Sequence, residues 1–265
     1  MPSCARAPLR PVAVVYGATG TIGGAAVSSF LSRNYEVFCP VRSIARARLT
    51  LTSAFIRLFE IDLSDDNSSS AFLEVIRPHL ARVRVVVSSL GQYVETGVGL
   101  HASSSATAAA ALFQSNVATH INGWRALGGA LMSLNSNAVY IFVTGKSGET
   151  GRKAELSVCD AAVFGVAACA RAEAAEAAVR ANVDDALCVV EVRLFFNVQR
   201  DEDFARCSAG EGGRCNQVRG ASDFGRLFGA LAEAGNALAA TTGGVIRLKD
   251  VATFEATVAA LNRER

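Results

Sequence analysis

Three glycines spaced three residues apart follow a short apolar run near the start of the chain. The run Val12–Tyr16 ends at Gly17, and Gly20 and Gly23 complete a Gly-x-x-Gly-x-x-Gly pattern that leads into a helical pattern. The first glycine permits a tight turn out of a strand, and the later ones let backbone amides approach a pyrophosphate at a helix N-terminus. The pattern predicts a dinucleotide-binding turn with these contact residues: Gly17, Thr19, Gly20, Thr21, Ile22 and Gly23.

The residues after the second apolar run indicate which dinucleotide would bind. NAD-selective sites carry an acidic residue here that holds the ribose hydroxyls, whereas this chain has Val41, Arg42 and Ser43. The guanidinium of Arg42 matches the oxygens of a 2′-phosphate in charge and geometry. We therefore expect NADP(H) if a dinucleotide binds; the alternative is that Arg42 is one of several solvated arginines.

Seven short apolar runs alternate with helical patterns along the chain. The predicted strands are Val12–Tyr16, Glu36–Val41, Phe55–Ile61, Val83–Ser88, Ala138–Thr144, Ala186–Leu194 and Gly244–Leu248. The predicted helices are Thr21–Arg33, Ser68–Ala81, Ser105–Ser133, Leu156–Arg180, Ser222–Ala234 and Val251–Leu261. Most runs are continuously apolar, which is typical of strands buried on both faces of a parallel sheet. We expect one α/β domain over residues 1–265: a doubly wound parallel sheet (Rossmann fold) of about seven strands, with helices on both faces and ligands at its carboxyl edge.

Composition narrows the classes of partner. The net charge of +2 gives no signal for nucleic acid or for acidic partners. No apolar run approaches the roughly 18 residues of a membrane span, and the N-terminus has no apolar core of a secretory signal. The loop Ala205–Gly220, rich in Gly, Arg and Cys, is the best candidate for a mobile or partner-facing insertion.

The cysteines and histidines favour a reduced protein without a metal site. Seven cysteines are scattered and include no Cys-x-x-Cys pair, and the three histidines have no ligand spacing. Buried thiols in a reducing compartment fit this pattern better than disulfides. We expect an intracellular location, in the cytoplasm or in an organelle matrix such as that of mitochondria.

Over nearly its whole length the chain resembles the short-chain dehydrogenase/reductase family. The turn Gly17–Gly23 resembles the family's cofactor loop, and Ser88-Ser89-Leu90-Gly91 stands where the family usually has Asn-Asn-Ala-Gly. Asn116 matches the Asn of the long fourth helix, and Thr242–Ile246 matches the segment that leads into the last strand. The segments Val15–Gly17, Ser32–Tyr35 and Gly243–Thr253 are also similar to dihydropteridine reductase.

The resemblance implies further cofactor contacts, from Asp62 and Leu63 at the adenine and from Ser89, Leu90 and Gly91 beyond the fourth strand. It also implies a homo-oligomer, since relatives are often dimers or tetramers through the helices that correspond to Ser105–Ser133 and Leu156–Arg180. A larger host assembly is the alternative occupant of those faces.

The resemblance fails at the family's catalytic pair, Tyr-x-x-x-Lys. Leu156 stands at the tyrosine position and Asp160 at the lysine position, and no tyrosine in the chain has a lysine four residues on. The family's serine position is ambiguous between Thr144 and Ser147. The possible remnants are thus Asn116, Thr144 and Ser147, and the possible substitutes are Tyr93 and Lys146; for each the alternative is a structural or solvated side chain.

These changes remove the family's proton donor. A tyrosine with an ordinary pKa of about 10 needs a nearby cation to act near neutral pH, whereas leucine has no proton to give and Asp160 adds negative charge. Asp160 could still accept hydrogen bonds from ribose hydroxyls. The sequence therefore favours a non-catalytic structural, assembly or regulatory subunit that keeps an NADP(H) site. The alternatives are an NADPH-dependent reductase of a pterin or carbonyl with a rearranged site, and a nucleotide-sensing or RNA-contacting module.

Overall fold

A seven-stranded parallel sheet forms the centre of the molecule, as the apolar runs predicted. The computed structural model describes residues 9–92, 105–134, 137–151, 153–183, 186–195, 197–206 and 218–263. The sheet strands are β1 (Val12–Tyr16), β2 (Glu36–Val41), β3 (Ile56–Glu60), β4 (Val83–Ser88), β5 (Val139–Gly145), β6 (Cys188–Leu194) and β9 (Val245–Leu248). Their order is β3-β2-β1-β4-β5-β6-β9. Strands β2 and β3 are added on one side of β1 and the later strands on the other side, so the order of addition reverses between β1 and β4. This reversal is the switch point at which doubly wound sheets bind ligands.

Helices cover both faces of the sheet. The helices are α1 (Thr21–Ser32), α2 (Ile44–Ala47), α3 (Ser68–Ile76), α4 (Ala106–Phe113), α5 (Thr119–Ser133), α6 (Ser147–Thr150), α7 (Ala154–Ala181), α8 (Asp201–Arg206), α9 (Ala221–Thr242) and α10 (Val251–Arg263). One core lies between the sheet and α1, α9 and α10, and the other between the sheet and α3, α5 and α7. Successive strand residues alternate between the two cores, as Val14 and Val15 do. The doubly wound fold is thereby confirmed.

The long helices differ from the predicted ones where the backbone changes its hydrogen bonding. A π-helical segment, Gln114–Ala118, separates α4 from α5 within the predicted helix Ser105–Ser133. The predicted helix Ser68–Ala81 ends at Ile76 and continues as a 3-10 turn over Arg77–Arg82, because Pro78 cannot donate a backbone hydrogen bond. Helix α9 continues past the predicted end at Ala234, where the backbone kinks.

The candidate insertion Ala205–Gly220 begins at the end of α8 and ends in β8 (Val218–Gly220); its central residues 207–217 lie outside the described part of the chain. Strand β8 pairs in parallel with β7 (Asn197–Gln199), apart from the main sheet.

Within the described ranges, no helix is both long enough and apolar enough to cross a membrane. The described cysteines are free thiols, of which Cys39, Cys159 and Cys188 are buried and Cys169 is exposed.

Candidate functional site

The glycine turn joins β1 to α1 and leaves helix amides open. Gly17 has a φ of +78°, and a Cβ on it would lie 2.1 Å from the Ser89 carbonyl oxygen. A Cβ on Gly23 would lie 2.1 Å from the Gly17 carbonyl oxygen, so Gly23 serves helix–turn packing. Gly20 is exposed, and no side chain caps the helix that starts after it. Uncapped first-turn amides and the helix dipole suit an anionic group, such as a pyrophosphate.

A cavity of about 460 Å³ lies beside this turn, over the carboxyl ends of β1, β2 and β3. We call it the β1–β3 cavity. Its lining includes Gly17, Thr19, Gly20, Arg42, Asp62 and Leu63, together with Ser89, Leu90 and Gly91. The structure thus brings nine of the thirteen predicted cofactor residues to one cavity.

Four predicted cofactor residues lie outside the β1–β3 cavity: Thr21, Ile22, Gly23 and Ser43. Ser43 accepts a hydrogen bond from the Arg46 amide at 3.4 Å and caps α2. Thr21 is the first residue of α1, Gly23 packs beneath the turn, and Ile22 lines the neighbouring pocket. Within the cavity, Arg42 is exposed, so its guanidinium is accessible to an anionic ligand.

Asp62 has a structural role besides its place in the cavity wall. Its Oδ1 accepts hydrogen bonds from the Ser64 amide at 3.0 Å and from the Ser64 hydroxyl at 2.7 Å. The next carbonyl, that of Leu63, accepts a hydrogen bond from Asn122 Nδ2 at 2.9 Å. Both contacts fix the segment after β3 that forms one wall of the cavity.

A second pocket, of about 290 Å³, lies over the carboxyl ends of β4, β5 and β6. We call it the β4–β6 pocket. It shares Ser89, Leu90, Gly91 and Gln92 with the β1–β3 cavity, so this segment is the wall between the two. The predicted catalytic-position residues Asn116, Thr144, Lys146, Ser147, Leu156 and Asp160 all line the pocket.

Asn116 lies in the π-helical segment and holds the shared wall. Its Nδ2 donates to the Gln92 carbonyl oxygen at 3.0 Å, and its Oδ1 accepts from the Gln92 amide at 2.8 Å. A Cβ on Gly91 would come within 3.3 Å of Asn116 Cγ. The amide of Asn116 is therefore engaged by the backbone of the wall.

Asp160 faces the loop that follows β5. Burial raises the pKa of its carboxyl to about 6, although the Ser147 hydroxyl and the amides of Ser147, Gly148 and Gly145 act to lower it. Leu156, one turn earlier on α7, is buried and apolar. The pair at these two positions thus offers one carboxyl group and one hydrocarbon side chain.

The proposed substitutes for the family's pair are only partly described. The Lys146 ammonium donates a hydrogen bond to the Phe195 carbonyl oxygen at 3.1 Å, which ties the loop after β5 to the end of β6. Tyr93 lies outside the described residues. Tyr16 and Tyr140 are fully buried, and burial raises the pKa of both phenols.

A histidine that sequence reasoning passed over lies under the shared wall. His120 lines the β4–β6 pocket; its Nδ1 is 2.7 Å from the Ser88 hydroxyl and its Nε2 is 3.2 Å from the Leu90 carbonyl oxygen. Because a carbonyl only accepts, Nε2 carries the proton and Nδ1 accepts from Ser88. Burial lowers the pKa of His120 to about 4, so the ring is neutral near pH 7. The available signal was its position four residues after Asn116, on the same side of the helix.

Comparison with known families agrees with this geometry. The family model described as short chain dehydrogenase matches residues 11–188. The chain belongs to the short-chain dehydrogenase family. The matched region includes the glycine turn, both predicted catalytic positions and the sheet through the start of β6.

Solved structures of other proteins share the fold at low sequence identity. ElxO with NADP bound is 17% identical, with a TM-score of 0.69 over 90% of this chain and 97% of that one. A short-chain oxidoreductase from a metagenome, in complex with NADP, is 19% identical, with a TM-score of 0.65 over 86% and 92%. A family oxidoreductase from Burkholderia thailandensis is 18% identical, with a TM-score of 0.67 over 91% of each chain. No functionally curated protein matches the chain significantly.

Proposed function

We propose that this family member binds NADP(H) without performing the family's tyrosine-dependent reaction, and that it serves as a structural, assembly or regulatory subunit. The observation that carries the proposal is the composition of the β4–β6 pocket, which is lined by Leu156 and Asp160, the residues that we assign to the positions of the family's tyrosine and lysine. The adjoining β1–β3 cavity keeps the features that a dinucleotide needs.

The glycine turn and Arg42 support the choice of cofactor. The uncapped amides of α1 suit the pyrophosphate, and the exposed guanidinium of Arg42 suits a 2′-phosphate. Two structural neighbours, ElxO and the metagenomic oxidoreductase, have NADP bound. The segment Asp62–Leu63 would lie against the adenine, in the cavity wall after β3.

The pocket residues explain why binding need not lead to reduction. A bound NADPH supplies a hydride, and reduction of a carbonyl also needs a proton donor at its oxygen. Leu156 has no such proton, and Asp160 is ionised for the most part above pH 6. The three described tyrosines are buried in the two cores and contribute no side chain to the pocket lining.

The test is a calorimetric or fluorescence titration of the purified chain with NADPH and NADH, followed by turnover assays with quinonoid dihydropterin and simple carbonyls. We expect NADPH to bind and no substrate to be reduced. Failure to bind either dinucleotide would contradict the cofactor part of the proposal, and turnover would contradict the non-catalytic part.

A second candidate is an NADPH-dependent reductase with a rearranged site. The observation that favours it is the presence of Ser147, Asp160 and Lys146 in one pocket. On this hypothesis, turnover survives Leu156→Ala and is lost in Tyr93→Phe or Lys146→Met. If turnover survives in all of these variants, the proton must come from the substrate itself or from Asp160.

The subunit role predicts a partner for the outer face of α7. Val158 and Val179 are 51% and 80% exposed on this helix. Such side chains are compatible with a second copy or with a different protein. Sedimentation of the purified chain and of the native complex separates a homo-oligomer from a larger assembly.

A further inference from the structure

The two halves of a dinucleotide would occupy different pockets of this protein, an inference that rests on the proposed cofactor binding. Doubly wound sheets bind dinucleotides across the switch point, with the pyrophosphate at the N-terminus of the first helix. In this chain the β1–β3 cavity lies on one side of that helix end, and the β4–β6 pocket lies on the other. Because Arg42 belongs to the β1–β3 cavity, that cavity takes the adenosine half. The nicotinamide half then belongs in the β4–β6 pocket, beside Ile22.

The wall of the β4–β6 pocket around Asp160 is partly apolar. Apolar side chains form much of the wall, among them Ile22, Leu90, Val163 and Val198. A charge interacts more strongly across an apolar, water-poor space than across bulk water. The carboxyl of Asp160 is therefore placed to act on any charge that enters.

The other charged and titratable groups around Asp160 come from several elements. The loop after β5 contributes Lys146, whose ammonium is bound to the Phe195 carbonyl, and α5 contributes His120, which is neutral above about pH 5. Lys153, just before α7, also lines the pocket, and α7 itself contributes the buried Glu155 and Cys159. Burial, Asp160 and Glu155 raise the pKa of the Cys159 thiol, so it stays protonated near neutral pH. His120 and Cys159 therefore keep the same charge between pH 5 and pH 8.

The oxidised and reduced forms of the ligand differ in charge. The nicotinamide ring carries a formal positive charge in NADP+ and none in NADPH, and the two molecules are otherwise alike in their phosphates. We propose that Asp160 makes the β4–β6 pocket prefer NADP+ over NADPH, so that the protein distinguishes the oxidation state of the cofactor that it binds. A lysine at this position would have the opposite effect, because it would repel the oxidised ring.

The preference depends on pH in a definite direction. The pKa of Asp160 is about 6 in the ligand-free protein. The carboxyl is ionised at pH 8 and mostly protonated at pH 5, so the preference for NADP+ is present at pH 8 and declines as the pH falls. By linkage, NADP+ binding lowers the pKa of Asp160 and releases protons near pH 6, whereas NADPH binding does not.

The experiment measures dissociation constants for NADP+ and NADPH by calorimetry at pH 8 and pH 5. Their ratio cancels the titration of the phosphates, which both ligands share. At pH 8 we expect NADP+ to bind more tightly than NADPH. We expect this preference, the dissociation constant of NADPH divided by that of NADP+, to fall by about tenfold or more at pH 5, as for an opposite charge within a few ångströms. Asp160→Asn should remove the pH dependence, and Asp160→Lys should reverse the preference at pH 8. Glu176→Gln, an exposed carboxylate on the same helix, is the matched control and should leave the ratio unchanged.

The outcomes separate this inference from the proposed function. If neither form binds, the proposed cofactor site fails. If both forms bind but wild type and Asp160→Asn give the same ratio at both pH values, the inference is overturned while the cofactor site stands. Equal weakening of both forms in Asp160→Asn would also overturn it, since it would show that Asp160 holds a ribose hydroxyl. The wild-type pH comparison decides the question by itself if the variants do not fold.

Discussion

The β1–β3 cavity and the β4–β6 pocket share one edge of the same sheet, but they are built differently. The cavity depends on backbone: the Gly17 and Gly23 close approaches shape the turn, and helix amides point outward. The pocket depends on side chains, among them Leu156 and Asp160, which we assign to the positions of the family's catalytic pair. A site made by backbone geometry keeps its binding function as long as its glycines remain, whereas a site made by side chains can lose a reaction and keep its shape.

The supports of the two regions differ as well. The turn packs against the strand end through Gly17 and Ser89. Beneath the pocket, ion pairs join β6 to α7. Glu191 on β6 is fully buried between Arg193 of the same strand, with Nε–Oε1 at 2.6 Å, and Arg171 on α7, with Nη1–Oε2 at 3.4 Å. Substitutions in the two regions should therefore fail for different reasons.

The largest expected effect is in the turn. Gly23→Ala would place a Cβ 2.1 Å from the Gly17 carbonyl oxygen, which is backbone and cannot move aside. We expect the free energy of unfolding to fall by at least about 4 kcal/mol, and dinucleotide binding to be lost. Gly24→Ala, on the next residue of the same helix, is the matched control, since its Cβ would be 3.6 Å from the nearest atom, an ordinary contact distance. Urea unfolding measures the free energy of unfolding of both variants. Equal decreases in the two would contradict the packing argument.

The next effect is in the ion pairs beside the pocket. Glu191→Ala removes the buried carboxylate that pairs with Arg171, while Arg193 keeps its ion pair with Glu149. We therefore expect the free energy of unfolding to fall by about 3 kcal/mol. Glu74→Ala removes the carboxylate of an exposed pair with Arg77 and should not change the unfolding midpoint measurably. A small loss in Glu191→Ala would show that the pocket does not depend on this network.

A smaller, pH-dependent effect is expected at the wall between the two regions. The pKa of His120 is about 4 in the folded protein and has an ordinary value of 6.5, so the unfolded chain takes up the proton first. The contribution of His120 to stability is therefore fully present above pH 6.5 and is lost as the pH falls toward 4, by about 3 kcal/mol in total. In His120→Gln this component is absent. Thermal unfolding of both proteins from pH 7 to pH 4 measures the difference, and parallel curves would contradict the prediction.

The smallest effect distinguishes the two dinucleotides in the β1–β3 cavity. Arg42→Ala should weaken NADPH binding by about tenfold and leave NADH binding unchanged, because only NADPH carries the 2′-phosphate. Arg48→Ala, which removes an exposed arginine that does not line the cavity, is the control. Equal weakening of both dinucleotides in Arg42→Ala would show that this arginine supports the cavity without selecting the cofactor.

Much of the architecture could be predicted because it depends on local patterns. The continuous apolar run Val12–Tyr16 coincides with β1, and the run Val83–Ser88, which the exposed Arg84 interrupts, coincides with β4. Strands buried on both faces have apolar residues at nearly every position. The π-helical segment at Gln114–Ala118 could not be predicted, because it inserts a change of backbone hydrogen bonding into a sequence that suits a continuous helix.

By itself, the sequence determined the glycine turn and the order of the main strands and helices, and it predicted which residues stand at the two catalytic positions. All of these follow from residue type and spacing. Only the tertiary structure decided that Asn116 holds the Gln92 backbone, that Lys146 binds the Phe195 carbonyl, and that His120 lies neutral beneath the shared wall. The physical reason is that hydrogen bonds and burial depend on which groups meet in space. The partners of Asn116 and Lys146 are 24 and 49 residues away along the chain.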